Sequence, residues 1–257
     1  MALRNFLKLS AIASALVLAG CGGGDINIDT GSGSNDGGNG GVTPPVSSCP
    51  AFATEATALA GVTTPVCEIK GVITSDVTLT ADRAWALSGK VTVGNDNANS
   101  ATLTIQPGTK VFGKSGADYL VIARGSKIQA VGTATNPIVM TSVNDMLGLS
   151  DEESAAEWGG LVLLGKAPTN KCNAADLANC QVEAEGEAGP YGGADPEDNS
   201  GALKYVQVRY AGFEVIPDNE LNGITFAGVG RGTTVEYIQV HNNLDDGVES
   251  VSYTHLT

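Results

Sequence analysis

Aromatic residues make up only 5% of this 257-residue chain, and charged residues only 16%. Basic side chains are the scarcer of the charged ones: 14 Lys and Arg stand against 28 Asp and Glu, for a net charge of −14. A chain this acidic repels a phosphate backbone, which excludes nucleic acid as a partner. Two histidines and no Cys-x-x-Cys pair leave little from which to build a zinc site. Gly-rich phosphate loops, nucleophile elbows and metalloprotease His-Glu-x-x-His helices are missing as well, so none of those chemistries has a motif here. After residue 20 no apolar run reaches the ~20 residues that cross a bilayer as a helix, which argues against a helical channel or transporter. Glycine, by contrast, is abundant at 34 residues, about twice ordinary usage and unsuited to a helical bundle. The 42% of hydrophobic residues is enough for a core.

The first twenty residues have the form of an export signal: Arg4 and Lys8, an apolar stretch from Ala11 to Ala19, then a small residue. Leu18-Ala19-Gly20-Cys21 resembles a bacterial lipobox. The resemblance implies cleavage before Cys21 and acylation of that cysteine, where an ordinary secretory signal would be cut without lipid. Gly22 follows Cys21, and the absence of Asp there implies sorting to the outer membrane or surface of a Gram-negative cell. Cleavage removes two basic residues and takes the net charge from −14 to −16. Residues 21–47 are rich in Gly, Asn, Asp, Ser and Thr and end near Pro44-Pro45. They read as a flexible tether, too polar to offset the entropy of ordering. With Cys21 lipidated, four cysteines remain in an oxidising compartment. Their spacing pairs Cys49 with Cys67 and Cys172 with Cys180; a catalytic thiol or metal site is the weaker reading.

From Gly71 onward, Val/Ile/Leu/Thr runs of three to six residues alternate with Gly, Asn and Asp, which is the pattern of short strands. Leu103 to Val111 and Leu120 to Ile128 both read L-x-I-x-x-G-[ST]-K-[VI], 17 residues apart. Gly89-Lys90-Val91 reads as a degenerate earlier copy. Leu203 to Arg209 and Val235 to His241 form a second pair, offset by 32 residues. Irregular repeats of short strands predict an all-β solenoid, a right-handed parallel β-helix, over residues 48–250. Leu103/Ile105, Leu120/Ile122, Val206/Val208 and Ile238/Val240 face inward, and Gly108 and Gly125 turn corners. A β-sandwich is the alternative, but hairpin signals are scarce. A capping box at Ser150–Glu153 predicts a short helix towards Glu157. Residues 165–200 predict an extended acidic loop, and residues 51–60 a short helix capping the first coil.

Trp158-Gly159-Gly160-Leu161 to Gly165, Tyr191-Gly192-Gly193, Asp198-Asn199-Ser200-Gly201 and Tyr205 to Gly212 resemble a widespread group of bacterial surface lipoproteins. Asn219 to Gly223 and Asp245-Asp246-Gly247 fit the same pattern. The group is similar to right-handed parallel β-helix proteins, and the resemblance, over residues 71 to 249, implies that fold rather than a reaction. Residues 251–257, Val-Ser-Tyr-Thr-His-Leu-Thr, resemble a translated sequencing adapter. The β-helix is therefore expected to be incomplete at its C-terminal end, and His255 carries no mechanistic weight.

Asp195, Glu197 and Asn199 start like an EF-hand loop, but Gly201 comes one place late and Val206 stands where Glu belongs. Calcium bridging of Asp195, Glu197 and Asp198, or of Asp245 and Asp246, remains as a candidate metal reading beside plain solvated loops. His241 occupies the repeat position of Arg209, and Tyr237 that of Tyr205. These four, with Lys204 beside them, are the candidate ligand-binding residues. The expected role is a lipid-anchored surface module that binds glycan, matrix or an outer-membrane protein, with no catalytic residue and no required cofactor. The alternative is a polysaccharide lyase or glycoside hydrolase on the same scaffold.

Overall fold

The structure, a computed structural model, describes residues 49–173, 175–217 and 219–251. The expected signal, Cys21, the tether and residues 252–257 lie outside the described residues. Fourteen strands join in one sheet, almost wholly by parallel pairing, and that sheet winds through three faces. Face A stacks Val77–Leu79, Thr102–Ile105, Lys127–Val131, residues 201–204 and residues 234–236. Face B stacks residues 66–70 and 84–88, Lys110–Gly113, Ile138–Ser142, then residues 206–209 and 238–241. Face C stacks residues 71–73 and 90–93, Tyr119–Ile122, Gly160–Leu164, Ile224–Ala227 and Val248–Val251. Read in chain order, these segments make six successive coils of a right-handed parallel β-helix. A β-sandwich is overturned by the parallel ladders: it would need antiparallel sheets packed face to face. Val251, assigned from sequence to the tail, ends a strand in register with Ala227.

The core is a set of aliphatic columns. On face C, Val91, Leu120, Leu161 and Ile224 lie directly above one another, each 1% exposed or less. Each such side chain contributes ~1.5–3 kcal/mol by burial, and each depends on the coils above and below for dryness. The expected inward pairs Leu103/Ile105, Leu120/Ile122 and Val206/Val208 are buried in the same core, with Ile238 and Val240 packed against it. Gly108 and Gly125 stand at corners with φ of +79° and +83°, where a Cβ is disfavoured.

The two sequence repeats differ in kind. The 32-residue offset is a true coil: Val206 pairs with Ile238 and Arg209 with His241. The 17-residue offset is not. Leu103 stacks on Ile128 in face A, while Leu120 lies in face C. The shared signature instead marks two different corners, Gly108 between faces A and B and Gly125 between faces C and A, rather than equivalent positions of successive coils.

Three local expectations are corrected. No helix starts at Ser150. The Asp151 carboxylate instead accepts from Glu153 N at 3.0 Å and Ser154 Oγ at 2.9 Å, and the Ser150 hydroxyl donates to Glu157. Such side-chain turns compete with helix formation. The helix lies earlier, at Val143–Met146, with Ser142 as its N-cap accepting from Asp145 N. Residues 51–60 are not a helix either. Thr54–Glu55 pairs antiparallel with Val66–Ile73, and Cys49 is bonded to Cys67. The first coil is therefore capped by a strand, while Ala56, Leu59 and Val62 cover Val66, Ala84, Ala86 and Phe112 on the outside of face B.

The third correction concerns residues 165–200, which are a folded cover rather than an extended loop. Val182–Ala184 pairs antiparallel with Gly189–Tyr191. Ala188 and Tyr191 then bury Tyr119, Val121 and Val162 on the outer side of face C. Cys172 and Cys180 lie within this segment, their Cα atoms 5.7 Å apart. Arg124, 4% exposed, anchors it: Nε and Nη2 donate to Asp96, and Nη1 to the carbonyls of Gly192 and Cys180.

Candidate functional site

Alternation along the third to sixth coils turns one set of side chains out of face B. Lys110, Val139, Gln207 and Gln239 form one outward row by strand register. Thr141, Arg209 and His241 lie along the next, since Met140 pairs with Val208 and Arg209 with His241. Between them runs a groove of about 250 Å³ lined by Lys110, Val139, Thr141, Asp145, Met146 and Arg209. Lys110 and Met146 also line a neighbouring hollow of about 230 Å³ that reaches Arg83 and Thr64.

Arg209 is the best-positioned cation. Its Nη2 donates to Gln207 Oε1 at 2.5 Å, and its Nη1 lies 3.6 Å from Asp145. Asp145 in turn accepts from the Thr141 hydroxyl at 2.8 Å. The backbone beneath is fixed by Trp158, fully buried, whose indole donates to the Arg209 carbonyl at 2.7 Å. The Tyr210 ring meets His241 edge-on at 5.7 Å. Burial, then the nearby Asp145, hold the Tyr210 phenol above its usual range. Lys110 forms no ion pair among the described residues. The groove can thus offer two cations and an amide to a polar ligand. Asp145 is the one carboxylate among its lining residues, whereas hydrolysis of a glycosidic bond needs a facing pair.

Tyr205 and Tyr237 lie elsewhere, at the corner between faces A and B. Both take left-handed backbone angles, φ +50° and +52°, a strained choice for an aromatic residue. Their rings stack at 4.5 Å and 3°. Lys204 lies over the Tyr237 ring at 5.6 Å and pairs with Glu236 at 2.7 Å. Because these residues sit on successive coils, their ring faces point along the solenoid axis and their edges point sideways. The pair therefore clamps coil five to coil six. It offers no flat lateral platform for a sugar.

The candidate calcium residues are dispersed among other partners. Asp195 accepts from Glu197 N, and Glu197 pairs with Arg231 at 2.9 Å. Asp198, 4% exposed, accepts from Ser200 and lies 4.0 Å from Lys166. Burial holds its carboxyl above the usual range. Among the described residues no three Asp, Glu, His or Cys side chains are grouped to hold a metal. Sequence reasoning found Arg209 and His241 through their repeat but missed Lys110, Thr141 and Asp145. Lys110 stands in the first repeat motif, and only strand register reveals that it shares a face with Arg209.

Comparison with curated proteins and with solved structures returned no match. A family model described as a pectate-lyase-like beta helix domain matches residues 71–254, which includes every coil segment from face C of the first coil onward. With the coil strands of that span paired in parallel, the chain belongs to the pectate-lyase-like β-helix family.

Proposed function

We propose that this protein is a lipid-anchored cell-surface β-helix that holds an extended glycan along the outer side of face B. One observation carries the reading: Lys110, Gln207 and Arg209 are gathered by strand register beside a single open groove. Cations concentrated there stand out in a chain of net charge −14, and they suit a polar, preferably acidic, polysaccharide. Charged donors paired with an amide give directional contacts to hydroxyl and carboxylate oxygens. Membership of the family supports a second reading, a polysaccharide lyase or glycoside hydrolase on the same scaffold.

A glycan array probed with the lipid-free form separates the two. Retention of an intact glycan is the expected result, and Arg209→Ala is expected to weaken it about tenfold, as loss of one charged hydrogen bond of ~1.5 kcal/mol predicts. New unsaturated or reducing ends in the eluate would replace the binding reading by the catalytic one. Equal retention by Arg209→Ala would remove the groove from the account.

A further inference from the structure

The charges of the face B groove are spaced by the coils, and that spacing restricts which glycan fits. Lys110 belongs to coil three and Arg209 to coil five. They are two coil steps apart, ~4.8 Å each, and two residues apart along the strand, ~3.3 Å each, which sets their α-carbons ~12 Å from one another. That exceeds one sugar ring and is close to the length of a disaccharide. Coil four, between them, brings no cation to the groove lining. It contributes two apolar side chains, Val139 and Met146, with the Thr141 hydroxyl and the Asp145 carboxylate. The Asp145 side chain, 22% exposed, accepts from Thr141 at 2.8 Å and keeps acceptor capacity for a ligand. From coil three to coil five the groove therefore reads cation, apolar wall with an anionic acceptor, cation.

Resting on the glycan reading above, we propose that the groove selects a polysaccharide in which acidic and neutral sugars alternate. Lys110 and Arg209 each take a carboxylate, from acidic sugars separated by one neutral ring. The neutral ring lies over coil four. Its C–H face rests on Val139 and Met146, and its hydroxyls donate to Asp145. A polymer with an acid on every ring places a carboxylate against Asp145 instead, where the nearest cation, Arg209, is already engaged by the neighbouring acid. Selection thus comes from a repulsive contact as well as from attractive ones. It is fixed by register, since Asp145 follows the strand that stands between those of Lys110 and Arg209.

The test is calorimetric titration of the lipid-free form with two oligosaccharides of equal length. One is glucuronate alternating with N-acetylglucosamine, and the other is galacturonate alone. The alternating oligosaccharide is expected to bind about fivefold more tightly although it carries fewer charges, as one like-charge contact at a partly exposed site predicts. Asp145→Asn should bring the ratio of the two affinities close to one. Val139→Lys, which sets a cation on coil four in the row of Lys110 and Gln207, should raise galacturonate affinity by about fivefold. If Asp145→Asn does not fold, Val139→Lys decides alone. Equal binding of the two oligosaccharides, or a preference that neither variant changes, would overturn the alternation while leaving the groove reading in place. Binding of neither oligosaccharide would remove the groove reading and this inference with it.

Discussion

Tyr119 sits on the outer side of face C, 5% exposed, and its hydroxyl donates to the Gly186 carbonyl at 2.9 Å. Burial, then the charge of Glu187, push its phenol up to about 12 from an ordinary 10.0. A folded-state value above the unfolded one means that the neutral phenol favours the fold. That contribution is whole below about pH 10 and is lost as pH rises to about 12. Urea midpoints measured across this window should fall as pH rises, and Tyr119→Phe should flatten the decline. At neutral pH the same variant should cost about 1 kcal/mol for the missing hydrogen bond. On the acid side Glu68 behaves oppositely to Asp198. Lys114, bonded at 2.6 Å, holds Glu68 below its ordinary value, so its contribution is present in neutral solution and lost as pH falls. Asp198, held high by burial, is instead relieved by protonation. At this scale the Arg209/His241 pair was legible because one repeat aligned the two residues. Asp145 was not, because its closeness to Arg209 depends on the short helix Val143–Met146 that follows the face B strand of coil four.

The cover segment is the element whose character differs most from its composition. Its acidic residues suggested solvation, yet Ala188 and Tyr191 are buried against Val121 and Val162. One sequence signal was available: Gly160–Leu164 is apolar at every position and buried at every position, the mark of a strand covered on both sides. Arg124 fastens the cover to the coils through Asp96 and two carbonyls. Removing Arg124 strips the Gly192 and Cys180 carbonyls of their donor, which costs ~1–3 kcal/mol for a buried unsatisfied group, while Asp96, 34% exposed, stays partly solvated. Arg124→Ala should therefore lose about that much in denaturant melts, with faster amide exchange concentrated in residues 178–193. Uniform exchange changes along all coils would show that Arg124 acts on the solenoid rather than on its cover. The helix expected after Ser150 failed for a related local reason. Asp151 and Ser154 satisfy each other and nearby backbone groups in a turn, so nothing drives that stretch to become helical.

Across the whole molecule, stability comes from coils that cannot dry their own aliphatic residues. Leu161 stands mid-column between Leu120 and Ile224, fully buried. Leu161→Ala should cost ~2–5 kcal/mol, the range for a core truncation that leaves a cavity, read as a lowered urea midpoint. A loss well below 1 kcal/mol would mean that the columns do not behave as a shared core. The amino-acid sequence by itself determined the solenoid, the inward aliphatic pairs and the glycine corners, because these follow from alternation and from local backbone sterics that each short segment carries within itself. It also brought Arg209 beside His241, since a repeat is self-similarity that can be read directly. Only the tertiary structure decided which repeats are coils and which are corners, and that the acidic insertion is a lid on face C. The gathering of Lys110, Thr141, Asp145 and Arg209 around one groove was settled there too. Those facts depend on the register between strands far apart in the chain, and register is set by the packing of the whole column rather than by any residue's neighbours in sequence.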